Sequence, residues 1–472
     1  SRLSIVSFII SAFQSVENPL IRKECAPLVS ISIWHNLSSE EARDRLLARS
    51  SGLKKAWRAA GKRYDAGDDA NKAKMRFERS WLYTMLLDFF RRLNGPEREQ
   101  ADNLRYCERL LEFLVDLESQ PPTRRYVNTL LKDLNFLSVI RLSQLYRSAD
   151  SALFRDLCGL LEHFSAFAID DFTGEALSPQ AIYDAHCQEL ARLQRTSMKY
   201  FKDKLMILAL SNYGSIEQRS ELEGQLATLE ESELRDLCSH LGFRTDYPKQ
   251  SQITPDRHLY MEVLLSFYEK KTTFQEAASQ LSIVPTEENL YDPTLLRNET
   301  YDGSRPLAIP KLNLQYLSTG DFLWRSFLLY RSEAFFQIRK DMESIVKRMQ
   351  PRASRDGKTL NFDGFSRMAI PITKPAIIEV APPKVGSAKP AFVRAEIAIE
   401  VGRLADHIRM EWESLRPDDV VFLLAVQSDD AGKPGFREPE TPGLKYLRTA
   451  EIVQVLDENG RPLREPVSGQ AN

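Results

Sequence analysis

Helical periodicity constrains the first part of this chain more than any other feature. Between residues 106 and 117, apolar side chains recur at spacings of four, four and three, at Tyr106, Leu110, Leu114 and Leu117. These spacings predict one buried face of an amphipathic helix. Similar segments cover 81–93, 126–137, 142–146, 153–164, 181–193, 201–210 and 259–268. Many helices joined by short connections predict stacked helical hairpins, which we interpret as an irregular armadillo- or HEAT-like solenoid over residues 1–284.

Two sequence signals mark helix starts within this region. Ser38 and Glu41 have the spacing of a capping box, in which each side chain bonds the backbone of the other residue. Ser178 precedes Pro179, and this pair predicts an N-cap followed by proline at the first helical position.

A change of composition ends the predicted solenoid. Pro, Asn, Asp and Gly cluster between Pro285 and Pro310, so residues 285–320 are predicted to form an extended linker. Residues 321–355 then form a predicted helical stalk, because one long helix is expected from Asp321 to Met349. Arg331 interrupts a heptad-like apolar seam formed by Leu328, Phe335, Ile338, Met342, Ile345 and Met349.

From about Thr359 the period switches from helical to alternating. Residues 393–401 alternate apolar and charged side chains, as a half-buried strand does. Residues 356–466 are therefore predicted to be a small β-barrel with a tail at 467–472. The expected elements are strands at 377–380, 420–426 (buried on both faces) and 446–456, a helix at 405–415, and an Asn459-Gly460 hairpin turn. The predicted fold class is multidomain and mainly α: solenoid, stalk, then barrel.

Composition narrows the classes of protein further. The 472 residues carry 64 Lys+Arg and 66 Asp+Glu, so bulk charge does not indicate a nucleic-acid-binding domain. Five Cys residues in so long a chain exclude a disulfide-built scaffold. The longest strongly apolar stretch, Ser4 to Phe13, is too short to cross a bilayer, so no membrane partner is expected.

Two short motifs imitate catalytic loops. Gly357-Lys358-Thr359 matches the end of a P-loop, but Arg352 stands where the loop needs its first glycine. The segment 364–368 imitates a nucleophile elbow, but Met368 stands where the second glycine must allow a sharp turn. We expect both to be structural, so no catalytic residue is predicted.

No metal or cofactor site is predicted within the chain. His186-Cys187 and the pair Cys238 and His240 lack the spacing of zinc ligands. Residues 170–174 lack the alternating oxygen ligands of a calcium loop and are expected to form a plain turn.

Basic clusters are the remaining candidates for a binding site. They include the doublets Arg91-Arg92, Arg124-Arg125, Arg339-Lys340 and Lys347-Arg348. Arg124, Arg125, Arg339 and Lys340 are the candidate nucleic-acid or partner contacts, since arginine near aromatic residues can hold phosphates and stack on bases. The alternative is a structural role in charge pairs, or, on the long helix, a solvated face.

Several strings together resemble the Aquarius family of intron-binding spliceosomal proteins, in a fungal-type form. They occur in family order along most of the chain. The strings are 106–109 through 117–118, 122–125, 307–317, 321–323 through 338–341, 365–372, 393–395 and 406–413.

The resemblance implies a nuclear protein of the intron-binding complex of the spliceosome. It implies an armadillo region, a stalk and a β-barrel, followed by superfamily 1 helicase domains that use ATP and Mg²⁺. The implied partners are intron pre-mRNA, a helical-repeat splicing factor, a small splicing factor of the same complex and a cyclophilin-type isomerase. No family ATP-binding residue matches a position in this chain, so no cofactor is expected within it.

Two hypotheses follow. In the first, the chain is the scaffold portion of an ATP-dependent RNA helicase whose motor lies outside these residues. In the second, it is a non-enzymatic helical-repeat adaptor of a nuclear ribonucleoprotein complex. For the chain alone we expect no RNA-stimulated ATP hydrolysis, and weak RNA binding that falls steeply with salt.

Overall fold

The computed structural model describes residues 2–16, 18–171, 173–291, 316–354, 360–385, 388–426, 436–437, 441–442, 444–457 and 459–462. The chain forms two compact units. Unit 1 comprises Ser1–Ser279 and Leu307–Trp324, and unit 2 comprises Gln280–Pro306 and Arg325–Asn472. Helices followed by short antiparallel strands confirm the predicted fold class. The finer five-part division stays a prediction.

None of the described helices is both long enough and apolar enough to cross a membrane.

Unit 1 is almost entirely helical. Its helices are α1 Arg2–Gln14, α2 Pro19–Cys25, α3 Glu40–Ala48, α4 Ser51–Ala66, α5 Asp69–Leu93, α6 Gln100–Glu118, α7 Pro121–Asp133, α8 Phe136–Leu142, α9 Gln144–Arg147, α10 Ala152–Ala166, α11 Pro179–Tyr200, α12 Lys202–Leu210, α13 Tyr213–Ile216, α14 Arg219–Leu226, α15 Glu231–Leu241, α16 Arg257–Tyr268 and α17 Phe274–Gln280, with 3₁₀ turns at Ala26–Val29, Ile31–Asn36, Glu97–Glu99 and Lys249–Ser251.

The core of unit 1 consists of two large apolar clusters. The first joins α1, α5, α6, α7, α8 and α10, and the second joins α11 to α16. The predicted apolar face of α6 is confirmed, because Tyr106, Leu110, Leu114 and Leu117 are all buried. Burial of an amphipathic stripe, rather than intrinsic propensity, supplies most of the stability of such helices.

Two predicted boundaries in unit 1 are wrong. The single helix predicted over 126–137 is two helices, because Asn135 adopts a left-handed conformation with φ of 50° between α7 and α8. The N-cap of α3 is Ser39 rather than Ser38. Ser38 instead donates from Oγ to Asp133 at 2.6 Å. The Ser178 cap is confirmed, since its Oγ accepts from the N–H of Ala181.

Part of the segment predicted as a linker is helical. Thr286 caps a short helix, α18 Glu287–Leu290, and Leu290 is buried against Phe335 and Met342 in the apolar cluster of unit 2. Residues 292–315 of the predicted linker lie outside the described residues.

The long helix is confirmed as α19 Thr319–Met349. Residues 319–324 belong to unit 1 and the remainder to unit 2. Its buried positions include Phe335, Met342 and Met349, as the seam predicts. Arg339 and Val346 are also buried, so the buried positions from 335 to 349 are alternately four and three residues apart.

The strands of unit 2 pair two by two. The elements are β1 Pro351–Ala353, β2 Leu360–Phe362, β3 Ile372–Val380, β4 Val393–Ile399, α20 Asp406–Glu413, β5 Val420–Val426, β6 Phe436–Arg437, β7 Thr441–Pro442 and β8 Leu444–Glu451. Antiparallel pairs form between β1 and β2, β3 and β4, β5 and β8, and β6 and β7. The predicted helix at 405–415 is thus confirmed as α20.

The predicted burial of two strands is wrong. All but one residue of β4 is exposed, although β4 was predicted to bury alternate side chains. β5 was predicted to be buried on both faces, but Val420 is 51% exposed. The reason is that each described sheet has two strands, and an isolated pair buries little side-chain area.

Candidate functional site

Arg124, a predicted contact residue, caps the C-terminal end of α10. Its Nη1 donates to the carbonyl oxygen of Phe164 at 2.7 Å, and its Nη2 donates to that of Phe167 at 3.0 Å. Its Nε lies 3.0 Å from Oδ1 of Asp171. The last carbonyls of a helix lack intrahelical partners and carry partial negative charge. The guanidinium, 3% exposed, therefore satisfies a buried helix end.

A buried carboxyl group stands beside Arg124. Glu118 is fully buried, and its Oε2 lies 3.7 Å from Nη1 of Arg124. Neither carboxyl oxygen of Glu118 has a hydrogen-bond partner within the described ranges. Burial raises the pKa of Glu118 to about 8, and the charge of Arg124 acts in the opposite direction.

Arg125, the second residue of this doublet, has a different environment. Its side chain is half-buried, and its Nε donates to the carbonyl oxygen of Pro121 at 3.2 Å. A ligand could reach Arg125 directly, whereas a ligand for Arg124 would have to displace three carbonyls and Asp171. Contact of either residue with RNA or a partner stays a prediction.

Arg339 and Lys340 also differ in exposure. Lys340 is exposed, as expected of a solvated face. Arg339 is 7% exposed, so the expectation of a solvated face is wrong for this residue. Its guanidinium lies 5.2 Å from the centre of the Phe336 ring, and its Nε lies 3.6 Å from Oε1 of Glu343. It lines a shallow cleft with Leu290, Leu329, Phe335 and Phe336. Contact of Arg339 or Lys340 with RNA or a partner likewise stays a prediction.

The strands around the P-loop-like tripeptide do not have the arrangement of a P-loop. Gly357-Lys358-Thr359 itself lies outside the described residues. It falls between β1 and β2, which pair antiparallel with Ala353 opposite Leu360. A P-loop instead joins a strand to a helix whose N-terminus receives the phosphates.

The imitation of a nucleophile elbow is structural. A Cβ at Gly364 would lie 1.9 Å from the carbonyl oxygen of Arg348, so only glycine fits this close backbone approach. Ser366 is buried and belongs to an isolated bridge with Ala369. No strand-to-helix turn presents its hydroxyl group within the described segments of unit 2.

His186, Cys238 and His240, for which no metal site is predicted, have other surroundings in the structure. His186 Nε2 lies 3.3 Å from Oε2 of Glu217, and His240 stacks on Tyr200 at 3.8 Å. Burial raises the pKa of the Cys238 thiol to about 12. No group of three or more His, Cys, Asp or Glu residues could hold a metal ion in the described part of the chain. The predicted turn at 170–174 is confirmed by its described residues, since the N–H of Gly174 donates to the carbonyl oxygen of Asp170.

The sequence predictions do not include a basic surface on α4, although this helix contains the doublets Lys54-Lys55 and Lys62-Arg63. Residues 45–64 contain seven basic residues and no acidic residue. Lys55, Arg58 and Lys62 are exposed on the side of α4 opposite to buried Leu53 and Ala60. We call these three residues the α4 basic face. The net charge over a window of about five helical turns would have revealed the α4 basic face, because its residues recur at helical spacing along one side of the helix.

Comparison with known proteins establishes the family. The model described as "Intron-binding protein aquarius N-terminal" matches residues 1–272. The chain belongs to the Aquarius family. A second Aquarius model, described as "Intron-binding protein aquarius, beta-barrel", matches residues 350–472, the region in which the structure changes from helices to antiparallel strands.

Two curated relatives extend the match. RNA helicase aquarius of Mus musculus is 34% identical over 470 residues, which are 98% of this chain and 31% of that protein. Pre-mRNA-splicing factor cwf11 of Schizosaccharomyces pombe is 22% identical over 302 residues, 61% of this chain and 22% of that protein. The chain therefore spans less than a third of the length of these Aquarius-type relatives. A fungal source stays a prediction.

Proposed function

We propose that this chain is the scaffold portion of a spliceosomal intron-binding RNA helicase that acts in pre-mRNA splicing. The observation that carries the proposal is the match to RNA helicase aquarius across 98% of the chain. The helical unit would dock splicing factors. Unit 2 would orient an ATP-dependent motor formed by residues outside this chain.

The proposal includes a setting and a set of partners. It places the protein in the nucleus, with intron pre-mRNA, a helical-repeat splicing factor, a small splicing factor and a cyclophilin-type isomerase as partners. ATP and Mg²⁺ would bind the motor. The name of the second relative, a pre-mRNA-splicing factor, supports assembly with splicing proteins.

The first test is the intact mass of the endogenous protein, captured from nuclear extract with an antibody against residues 1–272. We expect a species far heavier than 54.1 kDa, co-captured with splicing factors. Capture without any splicing factor would contradict a role in splicing.

A second measurement separates scaffold from motor. The captured protein should hydrolyse ATP in an RNA-stimulated manner, whereas the purified 472-residue chain should not. Turnover by the chain that is lost in Lys358→Ala, but kept in the control Lys340→Ala, would overturn the scaffold assignment.

The alternative is a non-enzymatic adaptor. It is supported by cwf11, whose name describes a splicing factor rather than a helicase. A captured species near 54.1 kDa that retains splicing factors and lacks ATPase activity would favour this adaptor over the helicase scaffold.

A further inference from the structure

The α4 basic face is held on a firmly packed helix. On the opposite side of α4, Leu53 and Ala60 are buried, and Ala56 and Trp57 pack against the main core. This anchoring fixes the helix rotation, so the basic side must face solvent. Lys55 and Lys62 are seven residues apart, which is about 10 Å along the axis.

Neighbouring side chains fix the aromatic residues of α4. Trp57 stacks on His35 with ring centres 4.3 Å apart and lies beneath the Arg43 guanidinium at 5.0 Å. Tyr64 accepts a hydrogen bond from Arg76 at 2.9 Å. With these rings already engaged, what α4 offers a ligand is positive charge rather than a free stacking platform.

The three cations of this face form no ion pair within the described part of the chain. Lys55, Arg58 and Lys62 are not within ion-pair distance of any acidic side chain that the structure describes. Like charges three and four residues apart on a helix repel each other. The first turn of α4 also lacks an acidic residue, although the N-terminal dipole favours negative charge there. Both features destabilise the free helix, and a bound polyanion would relieve them.

We infer that the α4 basic face binds the sugar-phosphate backbone of single-stranded RNA. The choice of RNA over an acidic protein rests on the proposed function, because the matched family is described as intron-binding. Three cations over about 10 Å match about three stacked nucleotides at about 3.4 Å per nucleotide. Contacts to phosphates alone bind without reading sequence.

The test compares two triple variants of the purified chain. Lys55→Gln/Arg58→Gln/Lys62→Gln removes the basic face. Lys202→Gln/Lys249→Gln/Lys270→Gln removes the same charge from exposed lysines scattered over other elements of unit 1. Binding of a single-stranded oligouridylate is measured by fluorescence anisotropy between about 50 and about 200 mM salt.

We expect the α4 variant to bind about 10- to 100-fold more weakly at about 0.1 M salt. The slope of log K against log salt should become shallower by about 2, since each lost phosphate contact removes about 0.7. The control variant should stay within about threefold of the parent chain. Lys55→Arg/Lys62→Arg, which keeps the charge, should bind like the parent.

Three outcomes would overturn the inference. Equal weakening by both triple variants would mean that diffuse charge, not this face, attracts RNA. Unchanged RNA affinity would exclude the contact. If RNA affinity is unchanged and the α4 variant no longer binds a polyglutamate probe, the face would be assigned to an acidic protein instead. Circular dichroism shows whether the variants remain folded. The assay does not depend on capture from nuclear extract, so it can fail while the proposed splicing role stands.

Discussion

Two sets of basic residues in unit 1 have opposite environments. Arg124 lies inside the unit, where its guanidinium binds three backbone carbonyls and pairs with Asp171. The α4 basic face lies outside it, with no acidic partner among the residues that the structure describes. Both sets lie on amphipathic helices, and their position relative to the buried apolar stripe separates them.

The difference shows when a basic residue is available to a ligand. Arg124 and Asn128 are four residues apart in α7, and both donate to the carbonyl oxygens at the end of α10. A helix end buried without such donors would be costly, so the fold itself requires Arg124. The α4 basic face donates to no backbone carbonyl among the described residues, so its side chains can be replaced without leaving one of those carbonyls unpaired.

The largest expected effect is that of Arg124→Ala. This change removes the buried donor to the carbonyls at the end of α10 and leaves Asp171 without its ion-pair partner. Breaking a buried charge pair by removing one partner costs about 3–5 kcal/mol. We expect the free energy of unfolding to fall by about that amount, measured by urea denaturation followed by circular dichroism.

Arg125→Ala is the matched control for this change. Arg125 is only half-buried, so its loss should cost less than about 1 kcal/mol. Equal destabilisation by both changes would contradict the distinction between an internal and an accessible arginine. RNA affinity of the chains that remain folded should not change in the Arg124 variant.

A smaller effect is expected from Glu118→Gln, and it depends on pH. Burial raises the pKa of Glu118 to about 8, above the value of about 4.3 expected in the unfolded chain. The folded state then binds this proton more tightly, so its contribution to stability is full at low pH and is lost as pH rises from about 4.3 to about 8.

Glutamine stays neutral at every pH. Glu118→Gln should therefore stabilise the chain by about 1–3 kcal/mol near pH 8 and have little effect near pH 4. Urea denaturation at both pH values measures this. Destabilisation near pH 8 would mean that the carboxylate is ionised and paired with Arg124 in the folded state.

Much of the helical unit could be predicted from sequence. The apolar spacing in α6 identified the buried face, because burial of a stripe at the helical period decides which residues form the core. The long helix α19 was predicted within two residues at its start, and ended as expected before Pro351. The prediction of one helix over 126–137 failed at Asn135. Asparagine tolerates a positive φ, and this residue interrupts a segment that is otherwise helical.

Burial and partners could not be predicted from sequence with the same success. Alternation in 393–399 predicted a strand, but the period says nothing about what covers its faces, and β4 is largely exposed. The positive charge of Arg339 led to a wrong prediction of its exposure in a similar way. Its long apolar stem and planar head allow it to occupy a buried seam position beside Phe336, where a solvated residue was expected.

The smallest expected effect is that of a substitution within α4 that leaves the basic face unchanged. Gly61 lies inside this helix, and a Cβ added there would meet no atom of the described chain within 4 Å. Because glycine is a poor helix former, Gly61→Ala should stabilise the chain by about 0.5–1 kcal/mol, measured by thermal or urea denaturation. The change removes no charge, so the affinity for oligouridylate should stay within about twofold. A stabilised variant that binds RNA much more weakly would show that the backbone of α4 approaches the RNA closely, and would contradict a contact made by charged side chains alone.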